Sequence, residues 1–153
     1  MRHEDARIFL ETHHAAVRGI AARDYRAAVV EAWARPITDQ TIERFLANRH
    51  SEVRLVAEVD GEPVGIGAIA INSAELRACH VAPSASRRGV GSALVAQIER
   101  IALEHGLDHL HLDSSITAEP FYSALGYHVE SRGEFLISPD VPMAAVKMRK
   151  NLT

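Results

Sequence analysis

The chain holds one cysteine in 153 residues. A single thiol has no partner of its own, so Cys79 forms no internal disulfide and a disulfide-stapled scaffold is excluded. Aromatic residues are scarce, at 5%, and positive charge is not in excess, the net being −3. A nucleic-acid partner would call for a basic patch or stripe, so none is expected. No apolar run approaches the ~20 residues that a membrane helix needs. The longest, Val64 to Ile71, has the length of a strand. The opening segment, MRHEDARIFLE, is charged where a secretory signal would be apolar. Repeats and low-complexity tracts are missing. These absences predict a cytoplasmic protein with no membrane partner. The whole chain, 47% of it hydrophobic, suffices for a single domain over 1–153 that buries about two-thirds of its unfolded surface.

What is present centres on Glu75 to Arg100, ELRACHVAPSASRRGVGSALVAQIER. Leu76, Ala78 and His80 alternate with Glu75, Arg77, Cys79 and Val81, the period of a strand with two different faces. Pro83 ends it, and Ser84 to Arg88 are polar and turn-like. From Gly89 the period changes: Val90, Leu94, Ile98 and Ile101 recur at helical spacing. A loop that opens into a helix offers backbone N–H groups without acceptors, and the helix dipole favours an anion there. Gly89 and Gly91 allow close approach to the backbone, and Arg87 and Arg88 add fork-shaped donors. A dinucleotide fingerprint is excluded, because Leu94 stands where its third glycine belongs. A P-loop is excluded because no Gly-Lys-Ser/Thr occurs.

Around this stretch the chain alternates in a consistent way. Helices are predicted from Ala6 to about Ile20 with Asp5 as cap, from Tyr25 to Ala34, and through Leu46 behind a cap at Thr38 or Asp39. Met1 to His3 leave room for only a rudimentary first strand. Val53–Val59 and Pro63–Ile71 are strands joined by the hairpin signal Asp60-Gly61. Gly65 and Gly67 mark a bulge or a close backbone approach. Gly106 closes the long helix, and Leu110 and Leu112 alternate with His109, His111 and Asp113 in a strand that should run parallel to the one from Glu75. Ser115 or Thr117 caps a short helix ending near Gly126. Strands over about Tyr127–Ile137 and Met143–Arg149 follow. The fold class is α+β: a mixed, mostly antiparallel sheet with helices on both faces and one parallel βαβ crossover.

Two motifs carry the chemistry. The loop R/Q-x-x-G-x-G/A after V-x-P, here Val81-Ala-Pro83 and Ser86-Arg-Arg-Gly89-Val90-Gly91, resembles the pyrophosphate loop of the GNAT superfamily of N-acetyltransferases. Ser86 stands where that family usually has Arg or Gln. The segment Ala118-Glu-Pro-Phe-Tyr122-Ser-Ala-Leu-Gly126-Tyr127 resembles the second signature of the same family, and the run around it is closest to an uncharacterised bacterial branch. The resemblance implies a GNAT-like fold and acetyl-CoA as cosubstrate. Its contacts would fall on Cys79, His80, Val81, Arg87, Arg88, Gly89, Val90, Gly91, Ser92, Ser115 and Tyr122, with Ser115 in place of the family's asparagine. It implies direct acetyl transfer in a ternary complex to a primary amine, carried by a small molecule or by a protein. Tyr122 would protonate the leaving thiolate. Glu75, placed on the face of Cys79 by period-two counting, would act as base through water. It also implies a homodimer, paired through the C-terminal strands if Met143–Arg149 forms an edge.

Alternatives come from the residues themselves. His80 and His111 have the intrinsic pKa of a base. Cys79 has no identifiable partner base and reads as a small buried residue rather than a nucleophile. No metal is expected, because the nine histidines form no recognisable zinc pattern with cysteine or carboxylate. Tyr25, Trp33 and the Glu130–Pro142 region should face the acceptor. The competing function is an acyl-CoA sensor of the same fold that binds without turnover.

Overall fold

The computed structural model describes residues 2–153. Met1, and with it part of the segment considered for a first strand, lies outside the described residues; from His3 the chain is already helical. α1 (His3–Gly19) starts one turn earlier than periodicity suggests. Asp5 does not cap it but sits in the first turn and accepts the Arg2 N–H at 3.0 Å. α2 (Ala27–Trp33) and α3 (Asp39–Leu46) follow. Thr38 caps α3, its hydroxyl accepting the Thr41 N–H at 3.3 Å. The hairpin β1 (Glu52–Val59) and β2 (Glu62–Ala70) turns through Asp60 and Gly61, at φ of 53° and 80°. Both signs are positive, as a two-residue I′ turn requires. Then come β3 (Glu75–Val81), α4 (Val90–Glu104), β4 (His109–Ser115), α5 (Glu119–Ala124), β5 (His128–Ser138) and β6 (Val141–Asn151).

The six strands lie in the order β1-β2-β3-β4-β6-β5, antiparallel except for β3 beside β4. The last strand is therefore not an edge. β6 pairs β4 on one side and β5 on the other, so the expectation of an exposed edge over Met143–Arg149 is corrected. The edges are β1 and β5. A hairpin returning toward β4 leaves β6 paired on both sides over 145–149 and puts β5, nearly all exposed, outside.

Each face of the sheet has its own layer. α4 and the α5 region pack on one face, where Ile69, Leu76, Val95, Ile98, Leu110, Leu112, Tyr122 and Met148 form the main core. α4 comes close because β2 faces it with glycine at positions 65 and 67. A Cβ on Gly65 would stand 2.9 Å from Val90 Cγ1, and one on Gly67 3.0 Å from Ile98 Cδ1. The glycines thus serve a close approach, and Gly65 also adjoins a register shift, since Ala57 pairs Gly65 while Glu58 pairs Pro63 and leaves Val64 extra. α1 covers the other face, with Phe9 on Ile66 and Ala68, and α2 packs beside it on β5 and β6.

Of the register shifts in this sheet, the one that bears on the site is one strand away, at Arg77. Ala68 pairs Ala78 and the next residue, Ile69, pairs Leu76, so Arg77 is the extra residue of β3. One extra residue exchanges faces. Leu76 and Cys79 consequently pack against the same α4-side core, while Ala78 packs with Phe9 on the α1 side. Glu75, opposite Ala70, lies on the α1 side as well. Period-two counting therefore fails across Arg77, and Glu75 and Cys79 are on opposite faces.

Candidate active site

β3 and β4 run parallel but pair at one position, Glu75 with His111, supported by the His111 N–H donating to Ala74 O at 3.0 Å. Beyond it the strands splay. The opening lies at the carboxyl ends of parallel strands, where open sheets of this kind take their ligands. A cavity of about 750 Å³ fills it, walled by Ala78 to Val81 on one side and Asp113 to Ser115 on the other. The edge of β3 that faces this gap has no partner strand and offers its backbone groups to whatever enters.

The start of α4 stands at one end of the cavity. Gly89 is its N-cap, at φ of 79° and ψ of 4°, and no side chain caps the helix. Its carbonyl takes the Ala93 N–H at 3.0 Å; the amides of the first turn remain free for an anion. Each glycine of the loop also has a reason within the fold. Gly89 needs its left-handed backbone. A Cβ on Gly91 would meet the Phe121 ring at 3.1 Å. Arg87, itself at φ of 61°, and Arg88 are exposed beside the loop. Val90 turns its side chain into the core, and only its backbone is available.

Tyr122, on α5, is 6% exposed and lines the cavity. Among the described residues its hydroxyl has no hydrogen-bond partner. Burial pushes its phenol well above the usual 10, with Cys79 and Tyr127 adding to the effect, so it stays protonated at any working pH. Cys79 faces the same side and its Sγ is 3.8 Å from Gly91 O. Burial pushes this thiol up to about 12, which keeps it from acting as a thiolate nucleophile. Ser115 lines the gap, but its Oγ accepts the Ala118 N–H at 3.1 Å and shapes the turn into α5.

The cavity continues through the splayed sheet to the α1 side. Ile20, Trp33, Phe135 and Met143 supply apolar wall there, and Glu75 and Asp113 supply carboxylates. Glu75 is held: Arg77 bridges it, at 3.1 Å, to Glu52 at 2.6 Å. Asp113 is exposed and has no ion pair among the described residues. The α1–α2 connection straps this mouth. Tyr25 Oη donates to Ala144 O at 2.7 Å and accepts the Ile116 N–H at 2.8 Å, and Thr117 donates to Asp24 at 2.7 Å.

The two candidate histidines separate. His111 Nε2 is bonded to Ser73 O at 2.7 Å, outside the cavity. His80 lines the cavity, with its ring 4.7 Å from that of His13 and 6.0 Å from Trp33. His13, a helix residue without a motif around it, and Asp113, one of several polar residues on its strand, are site residues that spacing alone did not single out.

A family model described as an acetyltransferase (GNAT) domain matches residues 21–147. Solved structures agree in shape. A GCN5-related N-acetyltransferase from Rhodopseudomonas palustris superposes with a TM-score of 0.87 at 27% identity, covering 97% of this chain and 90% of that one. The PaiA N-acetyltransferase of Thermoplasma acidophilum, solved in complex with coenzyme A, gives 0.76 at 19% identity over 99% and 95%. The YncA structure from Salmonella typhimurium, with its cofactor acetyl-CoA, gives 0.70 at 17% identity over 100% and 91%.

Proposed function

The chain belongs to the GNAT family and is an acetyltransferase of that type using acetyl-CoA; we propose that it passes the acetyl group directly to a primary amine, both substrates being bound in the one cavity. The observation that carries this is the continuity of the cavity. It joins an uncapped helix start on the α4 side to a carboxylate-bearing mouth on the α1 side, with the free Tyr122 hydroxyl on its wall. The residues present fit the cosubstrate. The α4 amides from Gly89 to Ser92, with Arg87 and Arg88 beside them, would hold the pyrophosphate. The unpaired edge of β3 at Cys79 to Val81 would hold the pantetheine arm in strand fashion and aim N–H groups at the acetyl oxygen. Ser115 faces them from β4. Bound there, acetyl-CoA supplies an activated acyl group as a thioester.

The remaining chemistry falls to this chain. Glu75 and Asp113 attract the ammonium form of the acceptor to the mouth, where nitrogen sheds one proton to water before it attacks and a second as the C–N bond forms, and Trp33, Phe135 and Met143 receive an apolar body beside it. Tyr122 gives its proton to the departing thiolate, whose pKa, like that of a cysteine, is about 8.5. Thiol release from acetyl-CoA, followed with a panel of primary amines, tests this. Release that depends on the amine supports transfer. Tight binding of acetyl-CoA with no release under any amine would instead mark a sensor of the same fold.

A further inference from the structure

An acceptor reaches the acetyl carbon from the α1 side, so the walls of that mouth select among amines. Aromatic residues make up only 5% of the chain. Yet the cavity wall takes in Phe121 and Tyr122 on the α4 side and Trp33 and Phe135 on the α1 side. The last two come from distant parts of the sequence. Trp33 closes α2, and Phe135 lies on β5, opposite Met143 of β6. Met143 is 3% exposed, whereas Phe135 beside it is 45% exposed. Bare apolar surface at the rim of a cavity is surface that a ligand gains by covering.

Trp33 is held in place. Its ring meets that of Tyr25 at 5.8 Å, near perpendicular at 78°, and the Tyr25 hydroxyl is fixed by its bonds to Ala144 and Ile116. The same bonds hold the α1–α2 connection across the gap between β3 and β4. It starts at Gly19, where a Cβ would collide with Pro83 just past β3, and is tied at Asp24 to Thr117 just past β4. This strap lies across the path that a peptide backbone would take and leaves room for a molecule entering end-on. The cavity volume of about 750 Å³ is that of a small-molecule site, and the pantetheine arm must share it. Glu75 and Asp113 draw in an ammonium and repel a carboxylate. Of the cations on the wall, Arg77 is spent on Glu52 and Glu75, Arg87 adjoins the anion loop, and Arg23 stands exposed on the strap.

We propose that the acceptor is a small primary amine on an aromatic body, without a carboxylate of its own, and that Trp33 and Phe135 set this preference. The inference rests on the transferase function above. The ring of the acceptor lies in the corner of Trp33, Phe135 and Met143, where two aromatic surfaces and a thioether receive a flat apolar group. A short alkyl link brings its nitrogen to the acetyl carbon. There the C–N bond forms and the C–S bond breaks. The nitrogen gives up two protons in all and the sulfur takes one from Tyr122, so the products are an N-arylalkyl acetamide, free thiol and one proton released. A polyamine has no apolar body for the corner, and an amino acid brings a carboxylate toward Glu75 and Asp113.

The test compares ethylamine, phenethylamine, L-phenylalanine, spermidine and a lysine-containing peptide as acceptors, with free thiol as signal. The kcat/KM for phenethylamine should exceed that for ethylamine at least about tenfold, which a single buried methylene can already give. It should also exceed those for the other three. Phe135→Ala changes an exposed edge position that the fold does not need, and it should lower the phenethylamine-to-ethylamine ratio about tenfold, through KM more than kcat. Trp33→Leu should lower the ratio in the same direction in a protein whose circular dichroism is unchanged. Equal kcat/KM for the two amines, a preference for L-phenylalanine, spermidine or the peptide, or an unchanged ratio in Phe135→Ala overturns the aromatic acceptor and leaves the transferase function standing. Failure of the wild-type protein to release thiol with any of these amines overturns both.

Discussion

A Cβ on Gly91 would stand 3.1 Å from Cζ of Phe121. Gly91 belongs to the loop that opens α4, and Phe121 precedes Tyr122 on α5, its ring 5.0 Å from that of Tyr122. The two motifs of the sequence are thus in contact, and the second glycine sets how near the tyrosine-bearing helix comes to the anion loop.

Gly91→Ala should therefore act at a distance. On helix propensity alone the change would favour α4 by up to about 1 kcal/mol, but overpacking costs about 1–3 kcal/mol. A lower melting temperature is expected, along with a reduced kcat, because Phe121 is forced against Tyr122. Adding Phe121→Leu should recover much of the stability in the double variant. Purely additive effects of the two changes would show that the contact does not couple the motifs.

Gly89→Val tests the anion loop. The site has open space for a side chain but a backbone φ of 79°, and a β-branched residue resists that conformation by about 1–2 kcal/mol. The loop should shift and the first-turn amides lose their common aim. Circular dichroism should show a folded protein, and calorimetry should show acetyl-CoA affinity reduced at least tenfold. An unchanged affinity would place the pyrophosphate elsewhere.

The elements that were legible in the sequence are those fixed by local chemistry. The Asp60-Gly61 turn, the Thr38 cap, the period change at Gly89 and the crossover from β3 to β4 each depend on neighbours a few residues away, and each stands where spacing put it. What was not legible depends on residues far apart. Arg77 bears no mark of a bulge, neither Gly nor Pro; its extra place in β3 follows from pairing with β2, and it moved Glu75 to the other face from Cys79. The insertion of β6 between β4 and β5 is a choice of partner that a terminal strand does not announce. The meeting of His13 with His80 needs α1 laid across β3, which the helical period of α1 does not specify.

The same histidine pair makes stability depend on acid in a set direction. Both groups titrate near 6.5 when unfolded and are pulled in the fold to about 4 and about 3. Above pH 6.5 neither state binds these protons, and stability from this source is flat. Below it the unfolded chain takes protons that the folded chain refuses, so stability falls as pH drops through 6.5 toward 4, and further toward 3 for His80. Each group contributes a slope of at most about 1.4 kcal/mol per pH unit. Urea melts at pH 7.5, 6.5, 5.5 and 4.5 should show this break, and His13→Phe should flatten the acid side. A stability that rises on acidification to pH 5 would mean that the imidazoles are charged in the fold.

Tyr122 offers the sharpest separation of chemistry from binding. Its hydroxyl has no protein partner among the described residues and its ring is packed at 5.7 Å from Tyr127. Tyr122→Phe removes one oxygen and leaves that packing. The core should hold its stability, because no hydrogen bond is lost, and acetyl-CoA affinity should change little. If the phenol protonates the thiolate, kcat should fall about 10²–10⁴-fold. The pH profile adds a second criterion. Since burial holds the phenol well above 10, an alkaline decline below that pH in the wild type cannot be its titration and should persist in the variant. Rates must be measured where chemistry is limiting, for instance with a slow acceptor, because product release can mask the step. Near wild-type kcat under those conditions would remove Tyr122 from the mechanism, leaving it a packing residue of the main core and water the proton source for the thiolate.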